Sequence, residues 1–358
     1  MKKKQGNKRA NIQSITYKAI QTGLFIGCFV AFMTQNLFAQ TASSEKANTV
    51  ITGVFKGDLR KTIRLTVDRS YINSDVKTLE VPIKNDSFRF EFYLDVAQKV
   101  TLKYLRNTGD VYIEPGDHLH IDGQANSFYY SFKFSGNSAA NNEFLRKFAQ
   151  KHPIHYNKYK FFTYKKGIIW YKVHRDLDAE MRKYGPEDYK TIIDNKRDEM
   201  FITFNTFDED YDKLTSGFKL YMRAEIDYYW AYNLLAYGYA FGLYHKIDFQ
   251  DFFGFMYEVQ LVNNDALGSQ YYRDFLVGAI NYYCEGHKKI PDPNDKIEDQ
   301  ILKQYEYGKK ELSGKSKAFY LTEMLKMAFA KQAISKMMDT YNAFFVENKY
   351  PEFNRKIR

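Results

Sequence analysis

Disulfide chemistry has almost nothing to work with in this chain. Only two cysteines stand among 358 residues, Cys28 and Cys284, and neither belongs to a Cys-x-x-Cys pair. A self-contained dithiol centre and a disulfide framework are both excluded. Tryptophan is equally scarce, with two residues, and proline numbers seven. No apolar run is clean over the ~20 residues that a membrane span needs. Gly-x-Ser-x-Gly, which sets a hydrolase nucleophile on a strand-to-helix turn, does not occur.

What is present begins with a leader. Lys2, Lys3, Lys4, Lys8, Arg9 and Lys18 form a basic segment without acids, and an apolar stretch follows from Gly23 to Met33. It ends at Leu37-Phe38-Ala39 before Gln40. This pattern predicts a secretory signal over 1–39, cut between Ala39 and Gln40, and export to the periplasm or outer cell envelope. An uncleaved membrane anchor is one alternative. Lipid attachment is another, because Phe25-Ile26-Gly27-Cys28 resembles a lipoprotein box, although the five residues after Cys28 are still apolar. The leader holds six of the +10 net charges and leaves +4 on the remainder, with no basic block. That excludes a nucleic-acid footprint. Cys284 is then the one remaining thiol. It reads as a small packing residue, or as the anchor of a mixed disulfide with a partner.

Residues 40–48 are small and polar and read as a linker. From Thr49 to Gly136 apolar residues recur at every second position, the period of a strand with one wet face. Ile63, Leu65 and Val67 do so, as do Phe88, Phe90 and Phe92, then Val100, Leu102 and Tyr104, and lastly Tyr130, Phe132 and Phe134. Turn residues at Asn85-Asp86, Asn107-Thr108-Gly109 and Pro115-Gly116-Asp117 separate the runs. About eight strands are predicted, as an antiparallel β-sandwich or barrel-like domain over 49–136. After Gly136 the spacing becomes helical. Phe144, Leu145 and Phe148 share one face, and Phe218, Met222, Ile226, Trp230, Leu234, Tyr237 and Phe241 form a long stripe. The fold class is α+β, with an all-helical domain over 137–358. Ser316 is the expected cap of the helix holding Leu321, Met324 and Leu325.

Candidate chemistry is sparse. His118 and His120, two apart on a strand, turn their rings to one side and could hold a metal with a third ligand. The plainer reading places both on a wet face. Asp208-Glu209-Asp210-Tyr211-Asp212 opens like a calcium loop, but Lys213 and Lys219 stand where the loop needs Gly and a bidentate Glu. Gly314-Lys315-Ser316 ends like a phosphate loop, but Lys309 stands where its first Gly belongs. His152, His155, His174, His245 and His287 have no local partner. No cofactor is called for.

The order of parts carries a resemblance. Ile113-Glu114-Pro115-Gly116-Asp117, the strand entering Gly136 and Asn142-Glu143-Phe144-Leu145 come first. Leu214-Thr215-Ser216-Gly217-Phe218, Asn264-Asp265-Ala266-Leu267 and Leu312-Ser313-Gly314 follow. This layout resembles the N-terminal accessory region of exported thioredoxin-like disulfide reductases of the Bacteroidota type. In that family a β domain and a helical segment precede a thioredoxin domain with Trp-Cys-x-x-Cys. That domain would begin near Tyr350-Pro351, and the motif is missing here, so no catalytic residue carries over. The resemblance implies a non-catalytic exported accessory or protein-binding protein, with a thioredoxin-like protein or peptide as partner. Two other classes stand beside it: a glycan-binding envelope module using exposed aromatic rings, and a hydrolase whose residues meet only in the fold.

Overall fold

The computed structural model describes residues 46–57, 62–68, 76–153, 164–165, 168–169, 183–206, 211–245, 251–284, 296–354 and 357. The segment expected to be a signal, with Cys28, Ala39 and Gln40, lies outside the described residues, as do His155, His174, His287 and the acidic run from Asp208 to Asp210. No described helix is long and apolar enough to cross a membrane. Residues 47–358 cluster as one compact unit.

Eight strands form the first half. They are β1 (Thr49–Lys56), β2 (Thr62–Asp68), β3 (Val76–Pro82), β4 (Ser87–Phe92), β5 (Gln98–Tyr104), β6 (Asn107–Ile113), β7 (His118–Gln124) and β8 (Lys133–Gly136). One sheet has the order β4-β1-β7-β8 and the other β3-β2-β5-β6. The alternation seen in the sequence decides which side chains face inward. Ile51, Phe55, Phe88, Phe90, Leu119 and Ile121 of the first sheet share a single buried cluster with Ile63, Leu65, Val100, Leu102, Val111 and Ile113 of the second. Two sheets closing one core between them make a β-sandwich.

The sandwich is not wholly antiparallel. β1 pairs with β4 antiparallel but with β7 parallel, Val50 opposite His118 and Val54 opposite Asp122. Hairpin logic pairs sequence neighbours head to tail, whereas β1 is covered by a strand met much later in the chain. The Asn85-Asp86 turn has both residues in left-handed backbone, φ 49° and 61°, as the two-residue hairpin signal requires. It joins β3 of one sheet to β4 of the other. The run Tyr130-Phe132-Phe134 departs from expectation. Tyr129 adopts φ 66°, the chain turns, and β8 begins only at Lys133. Phe132 stays buried while Tyr130 swings out to 71 % exposure.

The second half contains α1 (Ala139–Lys151), α2 (Pro186–Asn205), α3 (Ser216–His245), α4 (Gln270–Cys284), α5 (Ile297–Glu311), α6 (Gly314–Ala330), α7 (Met338–Glu347) and α8 (Pro351–Asn354). The region is not all-helical. Tyr164–Lys165 and Ile168–Ile169 form a short antiparallel ladder. The stripe on α3 is buried from Phe218 through Tyr237, and its 30 residues form the axis of the helical core. Many of the phenols there hydrogen-bond backbone carbonyls. Tyr228 donates to Gln260 O (2.7 Å) and Tyr237 to Tyr184 O (2.8 Å). Tyrosine thus fills a core and keeps its polar tip satisfied.

Asp274 on α4 is a partly buried carboxyl at the border of this apolar interior. Burial pushes its carboxyl up to about 6, against bonds from Gln270 and the charge of Arg273 that pull it down. A carboxyl whose folded value is raised costs nothing below its unfolded value of 3.8, and stability is lost as pH rises through 6. Asp274→Asn is therefore expected to leave stability unchanged at pH 4. At pH 8 it should gain about 1–2 kcal/mol, less than the shift alone would give because the side chain keeps some solvent contact. Urea unfolding at the two pH values checks this, and an equal gain at both would refute it.

Candidate functional site

The halves meet along β6. Val111 and Ile113 face the sandwich core, and Tyr112 between them points the other way into the helical core. Its ring lies 4.9 Å from Phe218 and 4.9 Å from Tyr221, both on α3. β6 is an edge strand, so the N–H and C=O of Tyr112 face away from β5. Asn142 on α1 takes both. Tyr112 N–H donates to Asn142 Oδ1 (2.7 Å), and Asn142 Nδ2 donates to Tyr112 O (2.8 Å) and to Ser138 O (2.9 Å). A side-chain amide offers one donor side and one acceptor side, and here it replaces a neighbouring strand.

The next residue along, Asn141, repeats the pattern on α3. Its Oδ1 accepts Thr215 N–H (3.1 Å) and its Nδ2 donates to Thr215 Oγ1 (3.1 Å). The Thr215 hydroxyl also accepts Phe218 N–H (3.1 Å), which caps α3, and donates to Glu114 Oε1 (2.7 Å). One donor and two acceptors exhaust a hydroxyl, so Thr215 is saturated. Glu114 belongs to the turn Glu114-Pro115-Gly116-Asp117, where Gly116 has φ 92°. Gly217 lets that carboxylate reach the helix start, because a Cβ there would lie 2.8 Å from Glu114 Oε1. Negative charge at a helix N-terminus is favourable.

A second joint lies at α6. Asn264 Oδ1 accepts Ser316 N–H (2.8 Å) and packs over Gly314, φ 61°. The cap thus comes from Asn264, and Ser316, expected as the cap, is buried with Oγ 2.7 Å from Tyr272 OH. Most of the short motifs that carry the family resemblance meet at these two joints. Their side chains hold helices to strands and to each other, a structural task without a reacting group.

His118 is exposed, and His120 Nδ1 lies 2.8 Å from Thr52 Oγ1. Asp117 is buried, accepts Glu114 N–H (2.8 Å), and burial pushes its carboxyl up. It is committed to the turn and does not complete a metal site with the two histidines. Among the described residues no three His, Cys, Asp or Glu side chains are grouped to hold a metal. His152 is buried against Thr203 Oγ1 (2.7 Å). Cys284 is buried and in no disulfide. His120 Nε2 is 3.5 Å from Asp122 Oδ1, which completes a Thr52-His120-Asp122 string. The string lies on the outer face of an open sheet. Its flanking strand amides belong to the ladders, so no paired donors stand ready for an oxyanion.

A cleft of about 1190 Å3 opens between the β7–β8 end of the first sheet and α1. Lys56, Asp122, Gln124, Lys133, Glu143 and Arg146 line it, with Tyr130 at its margin. Arg146 binds Glu143 through Nη2 (2.5 Å) and Tyr130 O through Nη1 (3.3 Å). β8 forms its wall as an edge strand. Val50 N–H donates to Asp117 O (2.9 Å), and Asn137 N–H to His118 O (3.3 Å). Alternation along β7 therefore turns Ile121 toward β1 and leaves its partner Phe134 with N–H and C=O pointing away from β7. Neither group has a partner among the described residues. A smaller cleft, about 400 Å3, lies where Arg197 covers the Trp230 ring at 4.3 Å and donates to Asp227 Oδ1 (3.0 Å).

Asn142, Thr215 and Glu114 are letters of the sequence motifs whose roles appear only in the fold, and Asn141 and the cleft stand outside those motifs. Two adjacent asparagines entering a helix, where Asn is a poor helix former, were the available signal. The chain matches no protein-family model, no curated protein and no solved structure.

Proposed function

We propose that this chain is a non-enzymatic accessory protein of the cell envelope that binds an extended segment of another polypeptide along β8. The observation that supports it is the open edge of β8 at Phe134, standing in a cleft of about 1190 Å3. Main-chain hydrogen bonds to such an edge supply affinity, and flanking pockets supply selectivity. Charges of both signs on the walls, with Tyr130 at the margin, suit a polypeptide better than an apolar ligand. The family resemblance points to a thioredoxin-like protein as the partner. Any thiol exchange would then be performed by that partner, since Cys284 has no second cysteine beside it and is buried.

A photo-crosslinking residue at position 130 tests this in envelope preparations. The expected result is a discrete adduct with a thioredoxin-like protein, missing when the same residue is placed at the remote, exposed position 346. Phe134→Pro removes the outward N–H, together with a ring packed 5.9 Å from Phe132, and should abolish the adduct, whereas Phe134→Ala, which loses the ring but keeps the N–H, should retain it. An adduct with another class of protein would keep the binding role and remove the redox partner. Adducts of equal yield at 130 and 346 would reject the cleft.

A further inference from the structure

Tyr257 is 83 % exposed, more than any other aromatic side chain among the described residues. It stands on the 3-10 segment Asp251–Glu258, beside a pocket of about 340 Å3. That volume is at the lower end for small-molecule sites, about 300–1,000 Å3. The floor is rigid. Phe253 and Tyr282 stack at 4.5 Å and 27°, and Tyr283 meets Tyr282 edge-on at 5.6 Å. Gly254 leaves the floor bare, because a Cβ there would touch nothing within 4 Å. The Asp251 carboxylate stands on the rim.

We propose that this pocket binds a pyranose unit of a glycan, with Tyr257 as the stacking platform and Asp251 accepting hydrogen bonds from ring hydroxyls. The chemistry selects among occupants. An apolar ligand would leave the Asp251 carboxylate facing it unpaired. A cation needs open ring faces on several sides. Here Phe253 and Tyr282 cover each other, and one rim carboxylate is the whole negative charge. A sugar has an apolar C–H face for one exposed ring and hydroxyls around its edge for the Asp251 carboxylate. This site is separate from the β8 cleft, and its failure would leave the polypeptide reading untouched.

Saturation-transfer NMR with the purified protein tests it against cellohexaose, chitohexaose, mannohexaose and xylohexaose, each up to about 5 mM, a range in which one stacking contact still registers. At least one of the four is expected to bind. Tyr257→Ala and Asp251→Asn, both at exposed positions, should each weaken that binding about tenfold or more with the fold intact by circular dichroism. Tyr130→Ala should not change it. Three results would overturn the assignment: no signal from any of the four, binding unaffected by Tyr257→Ala, or displacement of the sugar by choline, which would mark a cation site.

Discussion

Asn142→Ala is expected to lower the free energy of unfolding by about 3–4 kcal/mol, because each buried backbone group left unpaired costs about 1–3 kcal/mol. The substitution orphans two such groups, Tyr112 N–H and Tyr112 O, and also removes a bond to Ser138 O. Tyr112 and Asn142 are both buried, so water reaches the gap only by opening the junction. Domains hold together by about 5–15 kcal/mol in total, and this one residue therefore carries a large share. Asn142→Leu, which restores volume without polar atoms, should be no better. Asn142→Asp should also fail, since it keeps an acceptor for the N–H but sets a carboxylate against the carbonyl. Urea unfolding followed by circular dichroism decides the matter. A loss below ~1 kcal/mol would mean that the edge is satisfied in some other way.

The second large effect is expected at Lys99. Its ammonium leaves β5 and sits 3.4 Å from Asp110 Oδ2 on β6 and 3.8 Å from Glu225 Oε2 on α3, with only 17 % of the side chain exposed. Burial pulls this amine down, but Tyr221, Asp110 and Glu225 together pull it further up, so it stays charged. Removing one partner of a buried ion pair costs about 3–5 kcal/mol, because the other charge is stranded. Glu225 is the partner to be stranded, being buried as a residue, whereas Asp110 keeps a bond from Thr101 Oγ1 (2.7 Å) and part of its solvent. Lys99→Met should therefore destabilise strongly. Lys99→Met with Glu225→Leu should recover most of the loss, since two apolar groups of similar volume replace a pair that was costly to desolvate. A double mutant as unstable as the sum of the singles would show that the pair is not coupled.

Legibility followed locality. Period-two runs located the strands because each inward side chain is selected singly, and Ile63, Leu65 and Val67 are all buried as the pattern demands. Strand pairing is a property of distant segments, so the parallel β1–β7 contact left no mark on either strand. Tyr130 was misplaced because a strand pattern cannot register the left-handed Tyr129 before it. Asn142 looked like an ordinary first-turn residue, and its role depends on β6 lying 30 residues earlier in the chain. The cleft was wholly hidden, since its walls come from β7, β8 and α1 and meet only in the fold. By contrast Cys284, which reads from sequence as a small packing residue, is buried at the end of α4.

A bidentate amide fixes two points on one residue, so it resists twisting as well as separation. With Asn142 locked on Tyr112 and Asn141 on Thr215, α1 is bolted to a strand and to a second helix at consecutive positions. No swivel is left where strands give way to helices. The described part of this protein should accordingly tumble as one rotor, and a pull applied at one end would reach the other without being absorbed by slack.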